Sequence, residues 1–138
     1  MTKSIPSSSN LIVLQNNKIL LLRRSRPSSA EFGKWGLVGG GIEKNETSEQ
    51  GLSREVKEEI GCEIKWFKFF KEYKGFFQEK KVHAMYYFGE IKGEIELNDE
   101  HSDFGWFSFE EIKGLDIAFN QKDILSGFID FYKGKDSN

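Results

Sequence analysis

Residues 39–62 read Gly-Gly-Gly-Ile-Glu-Lys-Asn-Glu-Thr-Ser-Glu-Gln-Gly-Leu-Ser-Arg-Glu-Val-Lys-Glu-Glu-Ile-Gly-Cys, and no other stretch constrains the fold as strongly. The opening glycines allow a turn and a close approach of backbone to another group. The residues after them predict a short helix. Thr47 followed by Gln50 fits a capping box, in which each side chain satisfies a backbone donor left free by the first turn. Leu52, Val56 and Ile60 recur at every fourth residue and form one apolar stripe, and Gly61 stands where a left-handed stop belongs.

At roughly 100° per residue, Glu55, Glu58 and Glu59 gather on one side of that helix, about a quarter-turn from the stripe. Like charges so placed raise one another's pKa and disfavour the helix unless something neutralises them. A hard divalent cation would do so, because Mg²⁺ takes one or two carboxylates together with waters and substrate phosphates. No Cys or His pair accompanies the segment, which argues against zinc. A solvated acidic face is the alternative; the glycines, Glu46 and Arg54 in the same segment favour a metal and phosphate site.

The spacing supports that choice. Gly40, five residues, Glu46, seven residues, Arg54-Glu55-Val56, one residue, Glu58-Glu59, one residue, then Gly61 and Cys62 resembles the Nudix box, the signature of Nudix hydrolases. Every glycine, glutamate and arginine of that signature is in register. Cys62 departs from it, standing where the family usually has a larger aliphatic residue, and a cysteine packs as a small hydrophobe.

With 138 residues, 38% apolar and 30% charged, the chain is long enough for a sizeable core. We read residues 1–138 as one domain, with 1–8 and 134–138 as loose polar termini. A net charge of −2 argues against general attraction to nucleic-acid polymers or membranes and leaves room for a local basic pocket. One cysteine excludes an intrachain disulfide, and no apolar run has the length of a signal or membrane segment. The expected setting is cytoplasmic and the expected partner a small molecule, the protein acting as a monomer or homodimer.

Residues 11–14 and 19–22 predict two strands joined by an Asn-Asn hairpin. Arg23, Arg24 and Arg26, then Lys34 after a loop containing Pro27, either solubilise the strand end or neutralise substrate phosphates. Residues 35–38 predict a short strand leading into the glycines, with Trp35 directed to the core rather than to a base. Nudix members often have proline where this chain has Val38, so the glycine turn is less rigidly set here. Residues 64–73 and 81–91 predict aromatic-rich strands, residues 73–80 a loop over the substrate, and His83 a structural histidine. Residues 93–106 predict an acidic loop with a short strand before Trp106. Residues 108–112 read as a capped short helix. Asn120 caps a last helix through about Tyr132, helped by Asp123 in its first turn.

The resemblance spans nearly the whole chain in element order, the box carrying its specificity. It implies an α/β Nudix fold, a mixed β-sheet sandwiched between α-helices, and agrees with the strand and helix order above. It also implies Mg²⁺- or Mn²⁺-dependent hydrolysis of a pyrophosphate bond in a nucleoside diphosphate derivative. A (d)NTP or oxidised nucleotide giving NMP and pyrophosphate, as in MutT-like members, is the leading expectation.

By the same resemblance, the Gly39 carbonyl with Glu55, Glu58, Glu59 and Glu100 holds metal. Glu100 precedes Trp106 at the spacing of a further metal-binding glutamate in MutT-like members. Glu58 or Glu59 takes the proton, Arg54 orients Glu55, Glu46 braces the loop, and Gly40 and Gly61 shape the box. Asn120, the capping alternative aside, occupies a place comparable to an asparagine that bonds purine. The run 99–106 is also similar to the loop of GDP-mannose mannosyl hydrolases, where a histidine near the metal is the base. His101 aligns with it and is a second candidate base. A nucleotide-sugar hydrolase and a non-catalytic nucleotide sensor are the two alternatives.

Overall fold

The structure, a computed structural model, describes residues 6–25 and 31–136. Arg26 and Pro27 lie outside these residues, as do 1–5 and 137–138 of the expected loose termini. The strands are β1 (Ser8–Gln15), β2 (Lys18–Arg24), β3 (Trp35–Gly36), β4 (Val38–Gly41), β5 (Glu63–Phe77), β6 (Lys80–Lys92) and β7 (His101–Ser108). The helices are α1 (Ser48–Ile60), α2 (Phe109–Ile112) and α3 (Gln121–Asp136). Two expectations for the termini change accordingly. Ser7 donates to the His83 carbonyl and Ser8 pairs with Ala84 and Gly41, so the sheet claims them, while α3 runs on past Gly134.

The strands form one mixed sheet in the order β3-β2-β1-β6-β5, with β4 beside β1 and β7 beside β2. Among the described strand pairs, only β1–β6 is parallel. Alternation along β1 and β2 explains the layers, since successive side chains point to opposite faces. Ile12, Leu14, Ile19 and Leu21 pack with Ile112, Leu125 and Phe128 of α2 and α3. Leu11, Val13, Leu20 and Leu22 pack with Leu52, Val56 and Ile60 of α1. The sheet is thus sandwiched between α1 and the α2–α3 pair, the α/β Nudix arrangement expected. Among the described residues, no helix is long and apolar enough to cross a membrane.

Several local readings hold. Asn16 (φ 52°) and Asn17 (φ 61°) make the hairpin turn, a geometry that matches strand twist and that asparagine tolerates. Ser108 and Glu111 form the capping box of α2.

Others shift. The glycines are themselves strand, pairing as β4 with β1 and separated from β3 by Leu37. The loop expected at 73–80 is the end of a long β5–β6 hairpin whose turn is only Gln78 (φ 49°) and Glu79 (φ 67°). Residues 93–100 form a loop, but from His101 onward the chain is β7, paired along β2.

Candidate active site

α1 begins and ends as its sequence dictates. The Thr47 side chain accepts from the Gln50 amide at 3.1 Å, Gln50 Oε1 accepts from the Thr47 amide at 2.9 Å, and Gly61 terminates the helix at φ 69°. Burial of Leu52, Val56 and Ile60 against β1, β2 and Val38 fixes the helix's rotation. Its carboxylate face then meets β4.

The glycines make that meeting possible. The Gly39 amide donates to Glu59 Oε1 at 2.8 Å, and at φ 151° a Cβ on Gly39 would stand 2.3 Å from the Ser9 carbonyl. A Cβ on Gly40 would stand 2.5 Å from the Glu55 carboxyl. The close approach anticipated for a ligand is therefore already used by the protein's own carboxylates.

Arg54 organises the outer half of the box. Its Nε and Nη2 donate to both oxygens of Glu46 at 2.7 and 3.1 Å, and Nη2 also donates to the Gly41 carbonyl at 2.8 Å. Its Nη1 donates to Glu55 at 3.0 Å and to Glu58 at 3.1 Å. Glu46 in turn accepts from the Glu43 amide at 2.8 Å, closing the loop before α1. The Arg54 guanidinium holds the Glu46 carboxyl below the usual carboxylate range, whereas burial pushes Glu55 up against the pull of Arg54. The like-charge crowding read from the sequence is thus relieved from within the box.

Glu59 differs from its neighbours. It is only 5% exposed, and burial lifts its pKa to about 8, opposed by the Gly39 amide and reinforced by Glu55 and Glu100. Loop 93–100 is tied to the end of α1, the Glu96 amide donating to the Ile60 carbonyl at 2.8 Å and the Asn98 amide to that of Glu59 at 3.1 Å. This brings Glu100 and His101 to the helix: donor atoms of Glu59, Glu100 and His101 all lie within 4.8 Å of one another. His101, buried at 7% exposure, keeps a neutral imidazole, its pKa lowered to about 4 by burial and by Arg24.

All four carboxylates, Glu55, Glu58, Glu59 and Glu100, line one cavity of about 610 Å³. Phe77, Lys80, Lys81, Tyr86, Phe119 and Asn120 line the same cavity. Of the cations expected near phosphate, Arg24 lines this cavity. Arg23 and Lys34 are used elsewhere: Arg23 donates to the Gly33 carbonyl and lies over Trp35, and Lys34 pairs with Glu31 at 2.6 Å. Strand alternation separates Arg23 from Arg24.

Asn120 lines the cavity at the start of α3, and its Nδ2 donates to Tyr73 Oη at 3.1 Å and to the Phe76 carbonyl at 3.4 Å. Trp35 packs edge-on against Phe107 at 5.0 Å, and His83 pairs with Glu72, both as structural residues. Asn98, Lys80, Lys81 and Phe119 were not singled out in the sequence. Only the Asn98–Glu100–His101 proximity left a trace there, as neighbours in one loop.

Comparison with known proteins agrees with this geometry. The NUDIX domain model matches residues 6–128. The nucleoside triphosphatase NudI of Enterobacter sp. (strain 638) is 29% identical over 132 residues, covering 82% of this chain and 94% of that protein. NudI of Salmonella typhimurium is 30% identical over 118 residues, covering 76% and 84%. The crystal structure of the MutT protein from Methanosarcina mazei Go1 superposes with a TM-score of 0.81 at 30% identity, covering 91% and 94%. With the box in place on α1 and β4, the chain belongs to the Nudix domain family as a MutT-like Nudix hydrolase.

Proposed function

We propose that the protein hydrolyses a nucleoside triphosphate to the monophosphate and pyrophosphate, with Mg²⁺ or Mn²⁺ held among Glu55, Glu58, Glu59, Glu100 and the Gly39 carbonyl. The observation that carries this reading is one cavity of about 610 Å³ lined both by the four carboxylates, suited to metal and phosphates, and by Phe77, Tyr86, Phe119 and Asn120, suited to a base. Two relatives about 30% identical are named nucleoside triphosphatases.

The donor set suits a hard divalent ion, being carboxylate oxygens with a single imidazole. A bound ion supplies charge neutralisation to the phosphates and acidifies water beside it. Glu59 would have to be ionised to hold the ion, and the Gly39 amide keeps that carboxyl oriented. Arg54 holds Glu55 and Glu58 in place, and Glu46 braces Arg54. Arg24 offers positive charge to a phosphate oxygen. Glu58, Glu59 or the neutral His101 accepts the proton of the attacking water. Asn120, anchored through Nδ2, keeps its carbonyl oxygen for a purine edge. A small nucleotide is the partner, and a cytoplasmic setting belongs to the same proposal.

The burial of His101 beside Glu59 and Glu100 favours a second reading, hydrolysis of a nucleotide sugar. A phosphate-release screen with Mg²⁺ separates the two, using triphosphates, 8-oxo-dGTP, GDP-mannose and ADP-ribose with coupled pyrophosphatase or phosphatase. Pyrophosphate release from triphosphates is the expected result. Cleavage of GDP-mannose in preference establishes the second reading, and silence across the panel overturns both.

A further inference from the structure

Asn98 touches each of the three residues whose donor atoms converge at the acidic end of the cavity. Its amide donates to the Glu59 carbonyl at 3.1 Å, and its Oδ1 accepts from the Glu100 amide at 3.2 Å. The same Oδ1 lies 3.4 Å from His101 Nδ1. A backbone N–H only donates, so the side-chain atom facing Glu100 is the amide oxygen, not the nitrogen. An amide oxygen can only accept, so a hydrogen bond across that 3.4 Å contact needs the imidazole proton on Nδ1. Nε2 is then the bare nitrogen, and it points toward Glu59 Oε2 at 3.9 Å.

We propose that Asn98 is a positioning residue that locks His101 as its Nδ1–H tautomer and presents the Nε2 lone pair to the Glu59–Glu100 cluster. This deepens the proposed function and rests on that cluster being the reaction site. An imidazole free in its pocket has a choice of two nitrogens, and only one of them serves here. A partner that fixes the tautomer of a site histidine typically matters about 10- to 100-fold.

The test is long-range ¹H–¹⁵N spectroscopy of histidine-labelled, metal-free protein at pH 8, with H101Q assigning the signals. Wild type is expected to show a protonated Nδ1 and a bare Nε2. N98A is expected to lose that pattern, and N98D, which retains an acceptor oxygen, to keep it. N98A should also lower kcat about 10-fold or more with little change in KM. A wild-type spectrum with the proton on Nε2, or an N98A spectrum identical to wild type, overturns the proposal. The wild-type spectrum decides the tautomer whether or not N98A folds. It is read without substrate or metal, so its failure is distinct from an absence of triphosphate turnover.

Discussion

The Gly39 amide of β4 donates to Glu59 Oε1 of α1 at 2.8 Å, so the most buried carboxyl of the box is held by a backbone N–H. Glu58, by contrast, is half exposed and pairs with Arg54. The two neighbours should therefore answer differently to the same change. E59Q is expected to lower turnover about 100-fold or more while raising the melting temperature of metal-free protein at pH 8, since it removes a buried acid that must ionise there. E58Q should also lower turnover but leave that melting temperature nearly unchanged. Equal thermal responses in paired melts would contradict the assigned environments.

The pH dependence of metal-free stability has a definite sign. Glu59 titrates near 8 when folded against 4.5 as a free carboxyl, so the folded state binds the extra proton and stability falls as pH rises through that interval. His101 titrates near 4 when folded against 6.5, so the unfolded state binds the extra proton and stability rises between those values. The two oppose each other below about pH 6.5. From there to about pH 8 Glu59 acts without that opposition, with a slope of at most about 1.4 kcal/mol per pH unit. Urea titrations at half-unit steps should show the decline in wild type and not in E59Q.

Binding a divalent ion should release a proton. With its pKa pushed up to about 8, the Glu59 carboxyl is mostly protonated at pH 7 and would have to ionise to hold the ion as proposed. Calorimetry of Mn²⁺ binding in buffers of different ionisation enthalpy should give about one proton released at pH 7 and clearly fewer at pH 9. The same ion should raise the melting temperature by mass action.

The three box glycines should differ in kind. G39A puts a Cβ against the Ser9 carbonyl at positive φ and should cost roughly 3 kcal/mol of stability. G40A displaces the flexible end of Glu55 and should cost activity more than stability. G41A meets nothing closer than 3.8 Å and should be nearly silent. Denaturation midpoints and turnover measured side by side check all three.

Replacing Arg54 with Lys keeps the charge but loses the planar fork that meets both oxygens of Glu46 and reaches Glu55, Glu58 and the Gly41 carbonyl. A loss of about 1–3 kcal/mol is expected, together with slower turnover. Full activity in R54K would show that the fork is dispensable.

The box was legible because its signals are local. Thr47, Gln50 and Gly61 fix the ends of α1, and Leu52, Val56 and Ile60 fix its rotation, all within one short segment. The Asn16-Asn17 turn was legible for the same reason. What the sequence concealed depends on pairing across long separations. The glycines are strand only because β1 lies beside them. The β5–β6 hairpin runs on because each strand supplies the other's hydrogen bonds through 73–80. Nothing local shows that the Asn120 amide reaches Tyr73 on β5. Arg23 and Arg24 looked equivalent until register sent them to different surroundings.

From Ala84 inward β6 is flanked by β1 as well as β5, but toward its turn the hairpin is, among the described residues, a ribbon of two strands. A two-stranded ribbon is marginally stable by itself. Phe77, Lys80, Lys81 and Val82, which line one wall of the cavity, stand on that ribbon, while Glu55, Glu58 and Glu59 stand on a capped helix clamped to the sheet. The cavity thus draws one wall from a capped helix and another from the end of a hairpin, so substitutions at the hairpin tip should reshape the cavity without shifting the carboxylates of α1.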